Sequence, residues 1–462
     1  MKIKISIFCF VFLATMCVAQ QETIRQPIAD GLIKSPAIPI TPDKAVEMAI
    51  ENNLSLQQTV LSNEARRRAG QTSWNVFIPT LDVAGNLMHM NKEQEIQIPF
   101  PPYIYPAPQW RLQGSLQLSL TLNVGTFKGM KQTMEEYNAG KITIEKAKLQ
   151  LERDVRKAYY QLLLIKEQVA LLQGSYENAN RQVAMAQANY RGGLIPEVNL
   201  LQVQVARENL KPQIDEAENG YRMAMASFSM FLGLPYDAEF ELAPLPGNAE
   251  FIVLEAQDLI SRAASNKPEI EELRRNLAAL KAQRSAVFYN LKTPSLTLAF
   301  NMDPTFRGDP MKDSWLKFDS WQQSSGMFRI TLGWRLNGLI PFTKEYQQYQ
   351  AMDDAVKAME MGMAQAIQGT EMDVYNIIMQ LEKTRTTAEA QRMTVNLAAR
   401  TLQLSETAYR NGLKTYLEVQ NDELALRQAQ LGTLQQNYSY LMSLLDLEYS
   451  IGVPFGTLSG RN

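Results

Sequence analysis

Few side chains in this sequence have the chemistry that metal binding or catalysis requires. The single histidine lies in Met88-His89-Met90, a run that could offer soft ligands to a metal ion. Binding would need further ligands at suitable geometry, and a lone histidine at a strand end is more often an interfacial or loop residue. Met359, Met361 and Met363 are more typical of helix packing than of a metal relay. We therefore predict no metal site and no cofactor.

Catalytic motifs are equally scarce. The sequence contains no glycine-rich phosphate loop, no Gly-x-Ser-x-Gly elbow and no second histidine. Both cysteines, Cys9 and Cys17, lie close to the N-terminus, in a segment that opens with Lys2 and Lys4 and continues as an apolar run. A small-residue pattern ending at Ala19 completes a secretory signal peptide over residues 1–19. We predict an exported chain without cysteine that is not an enzyme.

Cys17 has a second interpretation, as a lipoprotein acylation site. Such sites need a small residue directly before the cysteine, and Met16 fits poorly. Residues 20–40 are polar and contain three prolines, which is typical of an extended linker.

Charge and hydrophobicity exclude two function classes. The chain has 46 Lys+Arg against 48 Asp+Glu, so there is no basic excess for a nucleic-acid binder held by bulk charge. It also lacks the several apolar stretches of about 20 residues that a polytopic helical membrane protein needs.

The mature chain is a tandem duplication. Residues 190–194 (Tyr-Arg-Gly-Gly-Leu) recur as residues 409–413 (Tyr-Arg-Asn-Gly-Leu). The same offset along the chain relates Gly233 and Pro235 to Gly452 and Pro454, without a gap. We predict two repeats, residues 41–240 and 241–462.

Each repeat has the same predicted elements in the same order. A helical stretch (residues 42–77 and 255–291) precedes two alternating strands, then a very long proline-free helix and a return helix. The long helices are predicted over residues 127–190 and 342–409, and the return helices over 197–231 and 415–450, with a kink at Pro212. The strands are predicted over 80–87, 110–124, 295–302 and 328–337, and the connecting segments 91–109 and 303–325 as long loops.

These elements cannot close within one chain. Helices of about 100 Å must pack along each other, and four strands leave open edges that lipid cannot satisfy. Closure therefore requires several chains, most simply around an axis. Alternating apolar and polar strands in an exported protein suit a barrel with its apolar face in lipid.

The plan resembles the TolC-type outer-membrane efflux protein family, as does the run from Ile40 to Asn53 and the Tyr-x-x-Gly turns. The resemblance implies a mixed α and β fold: a duplicated long-helix α-barrel continued by a transmembrane β-barrel of four strands per chain, closed by trimerisation. It implies a homotrimeric exit duct in the outer membrane of a Gram-negative bacterium, extending into the periplasm. The implied partners are a periplasmic adaptor and an inner-membrane pump, driven by protons or ATP, for efflux or type I secretion.

The resemblance also implies roles for the hairpin ends. Adaptors would dock at two turns, although the glycines would be needed there simply to end the helices. The residues of these turns are Arg191, Gly192, Gly193, Leu194, Arg410, Asn411, Gly412 and Leu413.

A gate is implied close to the second turn. Matched forward from Tyr409, the family's basic position falls on Lys414 and its acidic positions on Glu418 and Asn421, so one acid is an amide here. A ring of Glu418 carboxylates would repel anions and hold cations. The other interpretation is a solvated helix face, and Asp422 and Glu423 lie close enough to shift the ring by one position.

Two other function classes remain open from the sequence. A periplasmic adaptor would have one long hairpin and flanking β-domains, whereas this chain has two hairpins and membrane-type strands. A secreted structural coiled-coil protein would have no pore.

Overall fold

The computed structural model describes residues 39–92, 95–100, 102–106, 109–244, 252, 255–306, 317, 321–322, 326–411 and 413–458. The predicted signal peptide, with Cys17, lies outside these residues, as does the predicted linker up to residue 38.

Nine α-helices make up most of the described chain, and they follow the order of the two repeats. The first repeat holds α1 Pro42–Asn52, α2 Leu54–Gln71, α3 Val124–Arg191, α4 Glu197–Glu208 and α5 Leu210–Phe231. The second holds α6 Ala256–Asn266, α7 Pro268–Lys292, α8 Lys344–Arg410 and α9 Tyr416–Ile451. Short 3₁₀ helices occupy Ser73–Phe77 and Leu336–Leu339.

Polar side chains set where the long helices begin. Asn123 accepts a hydrogen bond from the Thr126 N–H at 2.7 Å, so α3 starts at Val124, which the alternation had placed in the preceding strand. Thr343 caps α8 in the same way. With 68 residues, α3 is about 100 Å long.

The return helix of the first repeat is divided, as Pro212 predicts. α4 ends at Glu208, α5 begins at Leu210, and the proline shortly after this junction cannot donate to the preceding turn. Leu431 occupies the equivalent position of α9, which runs unbroken for 36 residues.

The four predicted strands are β2 Thr80–His89, β5 Trp110–Leu122, β7 Ser295–Met302 and β10 Met327–Gly333. They lie in one antiparallel sheet of six strands, in the order β2–β5–β7–β10, and the other two strands of this sheet are short. The register aligns apolar residues across the sheet in rows. One row joins Leu81, Leu118, Phe300 and Phe328. One face is therefore apolar over its whole width.

Two sequence predictions about the strands are wrong in part. The segments 91–109 and 303–325 are not simply loops: they contain short strands, β3 Glu95–Pro99, β4 Pro102–Pro106, β8 Thr305–Phe306 and β9 Trp321–Gln322. In addition, β10 ends at Gly333 and not at residue 337. Beyond it the chain turns into the second 3₁₀ helix, where Gly338 packs closely against Leu291.

The largest core lies where the ends of both repeats meet their beginnings. There β1 Pro39–Ile40 pairs in parallel with β6 Glu241–Leu242, and the buried Tyr159 hydroxyl lies 2.7 Å from the carbonyl oxygens of Ile40 and Ala243. This core joins the N-terminal helices to the C-terminal ends of the return helices.

The duplication is visible in this core at atomic detail. Gly233 and Gly452, at equivalent positions of the two repeats, both have positive φ, at 78° and 69°. Each lies against the backbone carbonyl of an asparagine that ends a short helix, Asn52 or Asn266. The left-handed conformation and the lack of space both require glycine.

We expect Gly233→Ala to lower the stability of the protein by at least about 1 kcal/mol. The new Cβ would lie 2.5 Å from the Asn52 carbonyl oxygen, at a φ that alanine rarely adopts. The matched control is Gly220→Ala, inside α5 with nothing within 4 Å of the new Cβ, which should stabilise by about 0.5–1 kcal/mol. Thermal melting followed by circular dichroism measures both, and an unchanged melting temperature for Gly233→Ala would contradict the assignment.

Candidate functional site

The ends of the two long helices share a backbone hydrogen bond at equivalent positions. In the first, the Leu194 N–H donates to the Asn189 carbonyl at 2.8 Å and Gly193 has φ 72°, which is a Schellman C-cap. In the second, the Leu413 N–H donates to the Ala408 carbonyl at 2.8 Å. Gly412, equivalent to Gly193, lies outside the described residues.

Both turns present side chains that the cap does not use. Leu194 is 76% exposed and Leu413 is 80% exposed. Arg191 and Arg410 are also exposed. A C-cap requires the glycine and its hydrogen bonds, so these leucines are available to a partner.

A small apolar core holds the two hairpins together near their tips. Val183 and Ala186 of α3 and Leu200 and Val203 of α4 pack with Tyr416, the first residue of α9. The partly buried side chains at its border are those of Ile195, Ala206 and Tyr409.

Tyr409 closes this small core on one side. The ring centroids of Tyr409 and Tyr416 are 6.1 Å apart. The Tyr409 hydroxyl is buried without a hydrogen-bond partner among the described residues, and burial raises its pKa.

Polar contacts extend from this core between α3 and α9. The Tyr416 hydroxyl donates to Gln182 Oε1 at 3.2 Å, and Gln182 Nε2 donates to Glu423 Oε2 at 3.3 Å. Burial raises the pKa of Tyr416 to about 12 and also raises the pKa of Glu423. The hydroxyl therefore stays protonated and keeps its role as donor.

A second polar cluster ties the start of α9 to the end of α8. The Lys414 ammonium lies 3.0 Å from Asp422 Oδ2 and 2.6 Å from Ser405 Oγ, and the Ser405 hydroxyl donates to the same carboxylate. The Ser405 hydrogen bond and then Lys414 hold the pKa of Asp422 below its usual range. The cluster holds Lys414 against both helices.

Glu418 has a structural partner of its own. Its Oε2 accepts hydrogen bonds from the Thr415 N–H at 2.7 Å and from the Thr415 hydroxyl at 2.8 Å, as in a capping box. These bonds lower the pKa of Glu418, and the side chain remains exposed. The carboxylate is thus ionised at neutral pH at the surface of the tip.

The structure brings together only some of the residues singled out from the sequence. Tyr409 and Lys414 enter the two clusters, whereas Glu418 caps a helix and Asn421 is simply exposed. Asp422, noted as a neighbour of the predicted ring, is the acid that pairs with Lys414.

Sequence reasoning missed Tyr416. One signal could have found it: the equivalent position of the first repeat holds Glu197, so the two hairpins differ in chemistry at the same point of their return helices.

The histidine considered as a metal ligand lies against an aromatic ring. The ring centroids of His89 and Trp110 are 4.3 Å apart, across the pair of strands β2 and β5. In the part of the chain that the structure describes, no group of three or more His, Cys, Asp or Glu side chains is arranged to hold a metal ion. No described helix has an apolar stretch long enough to span a bilayer.

The long paired hairpins, the antiparallel sheet and the core that joins the two repeats have counterparts among known proteins. Residues 45–233 match the outer membrane efflux protein family. The match covers most of the first predicted repeat and agrees with the resemblance found in the sequence. Among curated relatives, nodulation protein T of Rhizobium leguminosarum bv. trifolii is 20% identical over 416 residues, covering 88% of this chain and 85% of that protein.

Solved outer-membrane channels share the fold of this chain. CusC aligns with a TM-score of 0.72 and 16% identity over 92% of this chain and 96% of its own. CmeC of Campylobacter jejuni aligns with a TM-score of 0.72 and 14% identity over 89% of this chain and 85% of its own. MtrE of Neisseria gonorrhoeae, solved in an open state, aligns with a TM-score of 0.69 and 17% identity over 89% of each chain. The fold of this chain is therefore that of these solved outer-membrane channels.

We expect Asp422→Asn to loosen the tip at neutral pH, because Lys414 loses its ionic partner. Amide hydrogen exchange over residues 411–416, measured by mass spectrometry, should become about two- to five-fold faster. Glu197→Gln is the control, since it removes an exposed carboxylate from the first turn of the other return helix, outside the measured segment.

The pH dependence of this effect follows from the lowered pKa of Asp422. The ion pair contributes stability above the ordinary aspartate pKa of about 3.9 and loses it only as pH falls through the lower folded value. The difference between native protein and Asp422→Asn should therefore persist from pH 7 to about pH 4. Its disappearance between pH 6 and 7 would contradict the assignment.

Proposed function

We propose that this protein is a homotrimeric channel of the outer membrane and the exit duct of a tripartite efflux or type I secretion system. Three sheets close into a 12-stranded barrel (3 × 4), and the long helices continue as an α-barrel through the periplasm. A periplasmic adaptor and an inner-membrane pump complete the duct. Conduction is passive, and the helical tips gate it.

The two free edges of the sheet carry this proposal. Within the described residues, β2 and β10 each pair with a strand on one side only. Their ten and seven residues leave a row of backbone N–H and C=O groups unpaired, which is not tolerated in the hydrocarbon of a bilayer. Pairing β10 of one copy with β2 of the next satisfies every edge.

The apolar face of the sheet supports a place in lipid. Val83, Phe328, Ile330 and Leu332 are all more than 60% exposed. In β10 these residues alternate with Arg329 and Thr331, so the opposite face is polar. A wet interior and a lipid-facing exterior account for both faces.

The helices also present a surface that one chain leaves uncovered. The exposed apolar residues of α8 include Met361, Met372, Met379, Met393 and Leu397. Their separations of 11, 7, 14 and 4 positions are close to whole helical turns, so they form one stripe along the helix. A neighbouring copy that packs along α8 would cover this stripe.

The gate in this proposal is the tip around Tyr409, Lys414, Glu418 and Asn421. Glu418 and Asn421 are exposed one turn apart on α9, on a face that can point into a pore. The contacts from Tyr416 to Gln182 and from Lys414 to Asp422 hold that face in place. Breaking the contact of Tyr416 with Gln182, which joins α9 to α3, would let the two hairpins of a chain separate.

Adaptor docking is assigned in this proposal to the two exposed turns, 191–194 and 410–413. Leu194 and Leu413 occupy equivalent positions, so one trimer offers six similar apolar contacts (3 × 2). The two repeats, 41–240 and 241–462, each contribute one turn. A periplasmic adaptor or a structural coiled-coil protein would have no use for the apolar sheet.

The gate is tested by Tyr416→Phe in trimers reconstituted into planar bilayers. Loss of the bond to Gln182 should shift the closed-to-open equilibrium toward the open state by about two- to tenfold, seen as a longer open time. The matched control is Tyr438→Phe, because Tyr438 also donates from α9 to α3, at 2.7 Å to Glu167, but from the half of α9 that is remote from the tip. Equal effects of both variants would argue against a gate at the tip.

The same preparation tests the pore itself. Detergent-extracted native protein should have the mass of three chains and give discrete conductance steps. A monomer that carbonate washes from membranes would overturn the proposal in favour of a peripheral protein.

Adaptor docking is tested by replacing both exposed leucines, Leu194→Ser and Leu413→Ser. The double variant should remain trimeric with native conductance, because neither side chain packs in the tip, and should lose adaptor cross-linking in cells. Met185→Ser, an exposed apolar change on α3 before its last turn, is the control. Unchanged cross-linking in the double variant would exclude these turns as the docking site.

A further inference from the structure

The junction between the helices and the sheet has an unusual charge. Four segments meet there: residues 66–78, 124–131, 288–292 and 334–344, referred to below as the collar. They contain eight Lys or Arg residues and no Asp or Glu. In a chain with 46 basic and 48 acidic residues, this segregation is not expected from composition.

The basic groups of the collar are largely free of acidic partners. Arg67 pairs with Glu64 at 2.7 Å, just outside the collar. The Lys128 ammonium lies 5.5 Å from the ring centroid of Tyr289, and Lys292 lies 4.7 Å from that of Phe288. No carboxylate of a described residue forms an ion pair with either lysine, so their charge is available to an external anion.

The collar also exposes large apolar side chains. Trp74 and Phe127 of the first repeat and Leu336 of the second are each more than half exposed, and Phe342 is 93% exposed. Exposed aromatic and apolar residues next to free cations are typical of a surface that sits at a membrane–water interface.

Side-chain contacts fix both 3₁₀ helices of the collar. The rings of Phe77 and Phe127 are 5.1 Å apart and lock the first 3₁₀ helix onto α3. At the second 3₁₀ helix, the Thr343 hydroxyl donates to the Asn337 carbonyl at 2.6 Å. The collar is therefore an ordered feature of both repeats.

The collar borders the apolar face of the sheet on the helical side. β2 begins at Thr80, just beyond the first collar segment, β5 ends at Leu122, and β10 ends at Gly333. The last apolar row of the sheet joins Leu122, Leu296 and Leu332, directly next to the collar. If the sheet spans the outer membrane, the collar lies at the level of the headgroups on the periplasmic side.

We propose that the collar binds anionic phospholipid headgroups of the periplasmic leaflet. The inference rests on the proposed function, because it needs the sheet in the membrane. Lys and Arg near a bilayer surface attract anionic lipid, and aromatic residues anchor a protein at the same depth of the bilayer. Phosphates of several lipids would occupy the space around the collar.

A second copy of the chain is a poorer occupant. Closing the barrel places β10 of one copy beside β2 of the next, so residues 334–344 approach residues 66–78 across the new interface. Both segments are basic, with Arg335 and Lys344 on one side and Arg68 on the other. Like charges repel at such a contact, and an anionic lipid between them would remove the repulsion.

The depth of the collar is tested with single cysteines, since a chain that starts at residue 20 contains none. A nitrobenzoxadiazole dye is placed at Phe342→Cys, at Leu332→Cys in the sheet and at Met361→Cys, about 25 Å further along α8. Trimers are reconstituted into phosphatidylcholine vesicles that contain brominated lipid. We expect quenching at residues 332 and 342 and none at 361.

The lipid preference is tested by exchanging brominated phosphatidylcholine for brominated phosphatidylglycerol. At residue 342 the anionic lipid should quench at least about two-fold more effectively, and salt should reduce the difference. The ratio of quenching by phosphatidylglycerol to quenching by phosphatidylcholine should fall toward one in the triple variant Arg68→Gln, Lys131→Gln, Lys344→Gln. It should persist in Lys44→Gln, Lys211→Gln, Lys357→Gln, which removes the same charge elsewhere.

Three results would overturn the inference. Equal quenching by the two lipids in the native collar would remove the preference for anionic headgroups. Quenching at residue 332 but not at 342 would mean that protein covers the collar or that it stands clear of lipid, while leaving the proposed channel intact. No quenching at 332 would overturn the membrane-spanning sheet itself, and the inference with it.

Discussion

Every backbone N–H and C=O group at the edge of a β-sheet needs a partner, from water or from another strand. In this chain β2 and β10 leave two such edges at the border of a wide apolar face, so water can satisfy the edges only if that face is also wet. Lipid would take the apolar face out of water, but it offers no hydrogen-bond partners to the backbone groups of the two edge strands. Assembly with further copies relieves both, and the uncovered stripe of α8 points to the same solution for the helices. Both the sheet and the helices thus require that the chain assembles with further copies.

The duplication meets this requirement with two copies of one plan, and the differences between the copies lie near the tips. Gly233 and Gly452 keep the same backbone conformation against equivalent asparagines. The return helices have diverged: Pro212 divides the first, while Leu431 lets the second run unbroken. Tyr416 in place of Glu197 gives only the second hairpin an aromatic anchor. In the proposed gate one hairpin moves relative to the other, and these differences in sequence distinguish the two hairpins.

Much of this fold follows from sequence periodicity, because long helices and alternating strands have strong local patterns. The helix ends at Tyr190 and Tyr409 were predicted to within one residue. The β3–β4 hairpin was missed because a segment containing four prolines between positions 99 and 106 has a loop-like composition. β10 was predicted too long because Trp334 and Leu336 continue the alternation, while a tertiary contact of Gly338 with Leu291 ends the strand. The candidate site was harder to predict from the sequence, because no local pattern shows that Gln182 lies beside Tyr416, which is remote from it in sequence. Glu418 illustrates the reverse case, since its most direct role, capping its own helix, is a local one.

Net charge shows how a global quantity can conceal a local one. The value of −2 argues against a surface that binds nucleic acid through bulk charge. The same balance is reached by placing eight basic residues without an acid at the collar and by concentrating acids elsewhere, including Glu418, Asp422 and Glu423 at the tip. Electrostatic recognition depends on charge within about a Debye length, roughly 10 Å, whereas α8 alone separates collar and tip by about 100 Å. The two ends can therefore present opposite charges, basic groups at the collar and acidic groups at the tip, without either altering the overall composition.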